Sequence, residues 1–100
     1  MKYLRFDFQY GYNNSLTKLC IDNKKVFEES LTTNDVLSLA EQELVTVSKG
    51  IHTIKCSIDS AEADTVINIP DSLVVGIYKN HQTGKVGFYI YQAGDFPLYD

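Results

Sequence analysis

The chain has 100 residues, of which 44% are hydrophobic and 22% are charged, and its formal net charge is -4. This length fits one domain, and this composition is typical of a globular protein rather than a disordered one. Because the charge is negative and Lys24 and Lys25 are the only adjacent basic residues, the sequence predicts neither nucleic acid nor an anionic membrane surface as a partner.

The hydrophobic runs of the chain are short. None approaches the roughly 20 residues that a membrane-spanning helix needs, so membrane insertion is not expected. Near the N-terminus, Leu4, Phe6 and Phe8 alternate with polar residues, which is typical of a strand and not of a signal peptide. As written, the sequence fits a cytoplasmic protein, and it fits equally well an exported chain whose leader had been removed, so the localisation stays open.

The first third of the chain alternates between strand patterns and turn residues. A strand is predicted over residues 2–12, and the turn residues that follow predict an antiparallel return over 16–21. Asp22 and Asn23 favour a second tight turn, which leads into a strand at 26–29. This part of the chain is therefore predicted to form successive hairpins.

The middle of the chain contains one ambiguous segment. Over residues 34–42 the spacing of the apolar residues fits a short helix behind a capping residue, but it also fits a strand. From there on, strands are predicted at 44–48 and 51–58, joined by a turn at Lys49 and Gly50. In the second of these strands the same face carries four residues: His52, Ile54, Cys56 and Ile58.

The last third begins with a polar segment at 59–64, which is interpreted as a loop. A strand at 65–69 follows, and then two strands at 73–79 and 85–92 that are apolar on both faces and are predicted to form a central hairpin. Gly76 and Gly87 lie inside these two strands and indicate bulges or close backbone approach.

Seven to eight short strands in a chain of this size predict an all-β fold, namely an antiparallel two-sheet sandwich of immunoglobulin-like architecture. A single domain is expected over residues 1–92, with a C-terminal tail at 93–100. Cys20 and Cys56 fall on separate strands, which leaves a disulfide open, but buried reduced thiols are favoured because free cysteine is among the most buried residue types.

Two segments resemble a known kind of domain. The run from Asp22 to Val26, and the Gly-x-His-x-Ile pattern of Gly50, His52 and Ile54, are similar to the strand and turn arrangement of small bacterial PEGA-like β-domains. The resemblance implies a non-catalytic surface or accessory domain, and it assigns no functional residue.

Few residues are candidates for chemistry. His52 is interpreted as a core or edge histidine with a satisfied ring nitrogen, and His81 as a solvated turn residue. No catalytic constellation, nucleotide motif or cofactor site is predicted. The polar segment at 59–64 offers three carboxylates that suit a calcium ion, and these are the candidate metal ligands: Asp59, Glu62 and Asp64.

Tyrosine is unusually abundant, with seven in the chain. If one outer sheet face is exposed, four of them are candidates for a binding platform: Tyr10, Tyr12, Tyr89 and Tyr91. The sequence therefore favours a non-catalytic interaction domain that binds a protein partner, or another copy of itself, through a sheet face or edge. The alternative is a carbohydrate-binding module that uses the same tyrosines together with a calcium loop.

Overall fold

The computed structural model describes residues 2–34, 36–37, 39–69 and 73–91, with the side chains of residues 2 and 3 left out. Eight strands make up this part of the chain: β1 (Lys2–Phe8), β2 (Ser15–Ile21), β3 (Lys24–Leu31), β4 (Glu41–Val47), β5 (Gly50–Ile58), β6 (Ala61–Ile69), β7 (Leu73–Lys79) and β8 (Val86–Tyr91). It contains no helix, and so none that is long and apolar enough to cross a membrane. The predicted all-β fold is confirmed.

The strands form two packed sheets of four. The first sheet has the order β4-β1-β7-β8, and the second has the order β3-β2-β5-β6. The second sheet is antiparallel throughout, but β1 and β7 run parallel in the first sheet. The prediction of a wholly antiparallel sandwich is therefore wrong for the first sheet. Alternation of polar and apolar residues encodes which face is buried but not the direction of a distant neighbour.

The sequence left a short helix or a strand open at 34–42, and no helix is present among the described residues of that segment. The side chain of Asn34 accepts hydrogen bonds from the backbone N–H groups of Val36 and Leu37, at 3.0 and 3.2 Å, and Asn34 forms a β-bridge with Leu39. The asparagine thus closes a turn instead of capping a helix. The following strand, β4, begins at Glu41, three residues earlier than the sequence predicted.

The predicted loop at 59–64 is also shorter than expected. Only Asp59 and Ser60 form the turn, and β6 starts at Ala61. Asp59 has a φ of 55°, which lets the chain reverse in two residues. Glu62 and Asp64 are therefore exposed side chains of an edge strand, and they occupy the solvent side of its alternating pattern.

The two apolar strands near the C-terminus take different positions. β7 lies between β1 and β8 and is buried on both faces from Leu73 to Ile77, as its composition predicted. β8 is the last strand of the first sheet, so its predicted central place is wrong. The predicted tail at 93–100 lies outside the described residues.

The core lies between the two sheets and draws on every strand. Its fully buried side chains include Phe6 and Phe8 from β1, Leu19 from β2 and Ile54 from β5. The rings of Phe8 and Phe27 stack across the two sheets with centroids 4.8 Å apart. Cys56 belongs to this core, Cys20 is half-buried, and both are free thiols, as the sequence favoured.

The connections divide between the two ends of the sandwich. At one end, here called the loop end, lie the connections β1–β2, β3–β4, β5–β6 and β7–β8. At the other end, here called the turn end, lie the tight β2–β3 and β4–β5 turns. The longer connections within the described residues are all at the loop end, and long surface loops are where binding residues concentrate.

Two leucines of β2 provide a direct test of this packing. Leu19 is fully buried, whereas Leu16 points outward and is 44% exposed. We expect Leu19→Ala to lower the free energy of unfolding by about 2–5 kcal/mol, because the lost side chain leaves a cavity. The matched change Leu16→Ala should lower it by less than about 0.5 kcal/mol. Urea denaturation would measure both, and equal effects would contradict the assigned faces of β2.

Candidate functional site

Four tyrosines form a continuous group of rings on the outer face of the first sheet. The ring centroids of Tyr10 and Tyr78 lie 4.9 Å apart, those of Tyr78 and Tyr89 lie 6.1 Å apart, and those of Tyr89 and Tyr91 lie 5.7 Å apart. The first and last of these pairs are stacked, with interplanar angles of 22° and 20°. These four residues are called the tyrosine cluster below.

The register of the β7–β8 hairpin places these rings side by side. Tyr78 lies opposite Gly87, and Tyr89 lies opposite Gly76. Each ring therefore has a cross-strand neighbour without a side chain, and the ring of Tyr78 takes the space where a Cβ of Gly87 would be. An aromatic ring that covers a cross-strand glycine restores the packing that the glycine lacks. A close approach was predicted at Gly87, and the group that approaches it is the side chain of Tyr78 and not a backbone segment.

The tyrosine cluster is partly exposed to solvent. Tyr89 is 57% exposed and Tyr10 is 42% exposed. Burial, followed by the neighbouring tyrosines, raises the pKa of Tyr10, so this phenol stays neutral at physiological pH. At the far end of the cluster, the Gln9 side-chain amide donates a hydrogen bond to the Tyr91 hydroxyl at 3.1 Å. The surface therefore combines apolar area with neutral polar groups.

A partly buried ion pair lies on the same sheet face. The Arg5 guanidinium donates to both carboxylate oxygens of Asp7, from Nε at 2.8 Å and from Nη2 at 2.9 Å. Asp7 is fully buried and lies opposite Gly76 in the register of β1 and β7. A two-point contact of this kind fixes both side chains, so the outer face beside the tyrosine cluster is ordered.

Three of the four predicted platform residues come together, and one does not. Tyr10, Tyr89 and Tyr91 belong to the tyrosine cluster, but Tyr12 is buried in the core and its hydroxyl donates a hydrogen bond to the Ile77 carbonyl oxygen at 2.9 Å. Tyr78 was missed, although it falls in the predicted hairpin of strands 73–79 and 85–92, where it lies opposite Gly87.

A polar groove of about 490 Å³ opens at the loop end, next to the tyrosine cluster. Its side-chain lining includes Asn13, Asp59, Lys79, Asn80 and His81. Its backbone is held firmly: the Lys79 N–H donates to the Tyr10 carbonyl oxygen at 3.0 Å, and Asn80 Oδ1 accepts from the backbone N–H groups of Gln82 and Thr83 at 2.8 and 3.1 Å. The groove therefore presents fixed hydrogen-bonding groups.

The three predicted metal ligands are engaged separately. Asp59 Oδ1 accepts a hydrogen bond from the Leu16 N–H at 3.0 Å, and Glu62 pairs with the Lys55 ammonium at 3.2 Å. Asp64 lies opposite Lys55 in the β5–β6 register. In the part of the chain that the structure describes, no three His, Cys, Asp or Glu side chains are grouped so as to hold a metal ion.

His52 makes a polar contact network at the turn end. Its Nδ1 lies 2.6 Å from Asp22 Oδ2, and its Nε2 lies 2.7 Å from the Ser48 carbonyl oxygen and 3.3 Å from Ser48 Oγ. Because both ring nitrogens face acceptors, the network favours the imidazolium, which donates from both. Asp22, and then the Ser48 carbonyl, raise the pKa of His52. The predicted satisfied ring nitrogen is confirmed.

This arrangement contains the residue types of a serine–histidine–aspartate triad, but it lacks the required proton acceptor. A general base must receive the serine proton at the imidazole nitrogen, and Nε2 of His52 is directed at a backbone carbonyl. The buried thiol of Cys56 is equally unsuited to attack, because burial raises its pKa to about 12. The contacts of His52 instead connect the β2–β3 turn, through Asp22, to the β4–β5 turn, through Ser48.

Comparison with known proteins found no matching family model and no match among the curated proteins or the solved structures. The resemblance to PEGA-like domains and the immunoglobulin-like architecture therefore stay predictions from the residues. The assignment of the tyrosine cluster as the candidate site is supported by its geometry alone.

The His52 network predicts a pH window for stability. Because the pKa of His52 is raised above its ordinary value of 6.5, His52 stabilises the fold fully below pH 6.5. This stabilisation is lost as the pH rises through the raised pKa. The Thr53 N–H and then His52 lower the pKa of Asp22 below 3.8, so its contribution is complete above that value and lost as the pH falls through the lowered pKa. The network should therefore stabilise the fold most between these two ordinary values.

Thermal unfolding of the wild type and of His52→Gln, followed across this pH range, would check the window. We expect the difference in Tm to be largest between pH 3.8 and pH 6.5, and to narrow as the pH rises through the raised pKa of His52. Asn68→Gln, at an exposed position of β6, is the control and should shift Tm equally at every pH. A difference for His52→Gln that does not vary with pH would contradict the charged network.

Proposed function

We propose that this chain is a non-catalytic domain that binds a protein partner through the tyrosine cluster and the adjoining β8 edge. The observation that carries the proposal is the group of four contacting tyrosine rings on an outer sheet face, with Tyr89 more than half exposed. Exposed aromatic groups of this kind are enriched where proteins bind one another.

The orientation of the rings supports a protein rather than a sugar as the ligand. A sugar ring stacks on a free aromatic face, but Tyr78 stacks on Tyr10, and Tyr89 stacks on Tyr91. Stacking between the tyrosines therefore covers part of the aromatic area that a sugar would need. Tyrosine rings with their hydroxyls suit the mixed apolar and hydrogen-bonding surface of a protein interface.

The fixed positions of the tyrosine side chains also suit this surface to binding. Tyr78 is held between Tyr10 and Tyr89, and Tyr91 accepts a hydrogen bond from Gln9. Side chains that are already ordered lose little conformational entropy when a partner binds. The tyrosine cluster is therefore suited to form the centre of an interface.

The polar networks support a non-catalytic role. Both ring nitrogens of His52 are directed at acceptors, and the Cys56 thiol is buried with a raised pKa. Neither group is arranged as a base or a nucleophile of the kind that covalent catalysis requires. Each is accounted for by the packing of the sandwich.

Affinity capture with the tagged chain would test the proposal. We expect two changes to abolish capture of the bound protein: Tyr89→Ala, which removes the most exposed ring, and Gly87→Ala, whose Cβ displaces the ring of Tyr78 while all four tyrosines remain. Loss of one central aromatic anchor at an interface weakens binding by about 2 kcal/mol or more. Quantitative mass spectrometry of the captured proteins would measure the loss.

Ile51→Ala is the matched control, because Ile51 is 72% exposed on the outer face of the other sheet. It removes a similar apolar area and should leave capture unchanged. All variants would first be checked for cooperative unfolding. Capture that survives Tyr89→Ala and Gly87→Ala in folded protein would rule out the tyrosine cluster as the contact surface.

The groove at the loop end favours a second candidate function, carbohydrate binding. Its volume of about 490 Å³ and its amide and charged side chains suit a polyhydroxylated ligand, and the nearby Tyr10 lines an adjoining pocket with Asn13 and His81. Sugar sites commonly combine side chains that form directional hydrogen bonds with an aromatic wall.

A glycan array, run with and without calcium, would separate the two functions. If the groove binds sugar, we expect Asn13→Ala to abolish the signal and Asn68→Ala, at an exposed position on β6, to retain it. Removal of one buried hydrogen bond to a ligand typically weakens binding by about 1–3 kcal/mol. An array without signal in both conditions would exclude this second function.

A further inference from the structure

The hydrogen-bonding direction of β8 follows from that of β7. The Gln9 N–H donates to the Ile77 carbonyl oxygen at 2.8 Å, and the Lys79 N–H donates to the Tyr10 carbonyl oxygen at 3.0 Å. Ile77 and Lys79 therefore direct their backbone groups at the chain of β1. Because successive residues of a strand point their backbone groups to opposite sides, Gly76 and Tyr78 direct theirs at β8.

The partners of these residues on β8 complete the pattern. Gly76 lies opposite Tyr89 and Tyr78 lies opposite Gly87, so Tyr89 and Gly87 form the hydrogen-bonded pairs with β7. The hairpin loop continues this alternation: Asn80, two residues after Tyr78, donates its N–H to the carbonyl oxygen of Lys85, two residues before Gly87, at 2.9 Å. The alternate residues of β8 therefore direct their N–H and C=O groups away from β7: Val86, Phe88 and Ile90.

The outer edge of β8 is unlike the other three sheet edges. β4 carries Glu41 and Glu43, β6 carries Glu62 and Asp64, and β3 is interrupted by a register shift and carries lysines and glutamates. Such charges and bulges prevent edge-to-edge pairing. β8 has the sequence VGFYIY, with no charge and no proline, and its register with β7 is continuous.

We propose that the partner of β8 is the β8 of a second copy of this chain, a proposal that rests on the function proposed above. The two strands would pair antiparallel about a two-fold axis perpendicular to the sheet, with Phe88 opposite Phe88 and Val86 opposite Ile90. In this register each outward N–H faces an outward C=O, which gives six backbone hydrogen bonds. The two first sheets become one sheet of eight strands.

Charge and shape both favour a second copy as the occupant. Each chain has a net charge of -4, so two copies approach best along an edge that carries no charge. On the outer face, Tyr89 would lie opposite Gly87 of the second copy, as it already lies opposite Gly76 of its own β7. On the other face, Ile90, which is 42% exposed, would be covered by Val86 of the second copy.

Sedimentation equilibrium over a range of concentrations tests the pairing. We expect the mass of the wild type to rise with concentration from 11.3 kDa to twice that value. Ile90→Lys adds a charge to the edge and should raise the dissociation constant at least about tenfold. Leu44→Lys is the matched control, since Leu44 is 60% exposed on β4 at the opposite edge of the same sheet, and it should dimerise as the wild type does.

A cysteine cross-link tests the register and does not depend on how well Ile90→Lys folds. In a Cys20→Ser background, Phe88→Cys places two thiols on opposite residues whose Cα atoms are about 5.5 Å apart, within the range of a disulfide. We expect oxidation to yield a covalent dimer, whereas Leu44→Cys should yield none. Cys56 is buried with a pKa near 12 and stays unreactive.

The outcomes separate this proposal from the one on which it rests. A wild type that stays monomeric at every concentration, or a dimer that Ile90→Lys leaves intact, would overturn β8 pairing. If a different captured protein is then lost with Tyr89→Ala, the protein-binding function stands and its partner is not a second copy. A dimer that forms the Phe88→Cys cross-link and is lost with Ile90→Lys supports both.

Discussion

The arrangement of the first sheet depends on the hydrogen bonds that β7 makes to its two neighbours, β1 and β8. On one side β7 pairs parallel with β1, which is distant in sequence, and on the other it pairs antiparallel with β8, its hairpin partner. This double pairing brings Tyr10, two residues after the end of β1, beside Tyr78, which in turn contacts Tyr89. It also fixes which backbone groups of β8 point outward. Both the tyrosine cluster and the outward direction of these backbone groups are consequences of the position of β7.

The two ends of the sandwich have different roles. At the turn end, His52 joins Asp22 and Ser48, and these contacts hold two short turns together. At the loop end, hydrogen bonds to backbone groups hold longer segments in place: the Thr33 N–H donates to the Tyr12 carbonyl oxygen, and the Tyr12 N–H donates to Thr33 Oγ1. The titratable network thus lies away from the groove and the tyrosine cluster. A change in its protonation is expected to alter stability with little effect on the candidate binding surface.

The sequence predicted the strands well because alternation records which face of each strand is buried. It could not predict the parallel pairing of β1 and β7, which no turn between them specifies. It also misplaced Tyr12, which lies in the core on the face that alternation from Phe6 and Phe8 gives it. Tyr10 is the residue that departs from the alternation, because β1 ends at Phe8 and Tyr10 then lies on the outer face beside Tyr78. Tyr78 was missed because its place in the cluster depends on a register between strands.

Packing explains some members of the tyrosine cluster better than others. The ring of Tyr78 fills the space above Gly87, and the Tyr91 hydroxyl accepts a hydrogen bond from Gln9, so each has a role in the folded hairpin. Tyr89 is more than half exposed, and an exposed ring adds little to stability. It lies next to an uncharged edge where Ile90 is also exposed, and the proposed pairing with a second copy would cover both residues. The proposed binding function therefore depends on Tyr89 more than on the half-buried Tyr78 and Tyr91.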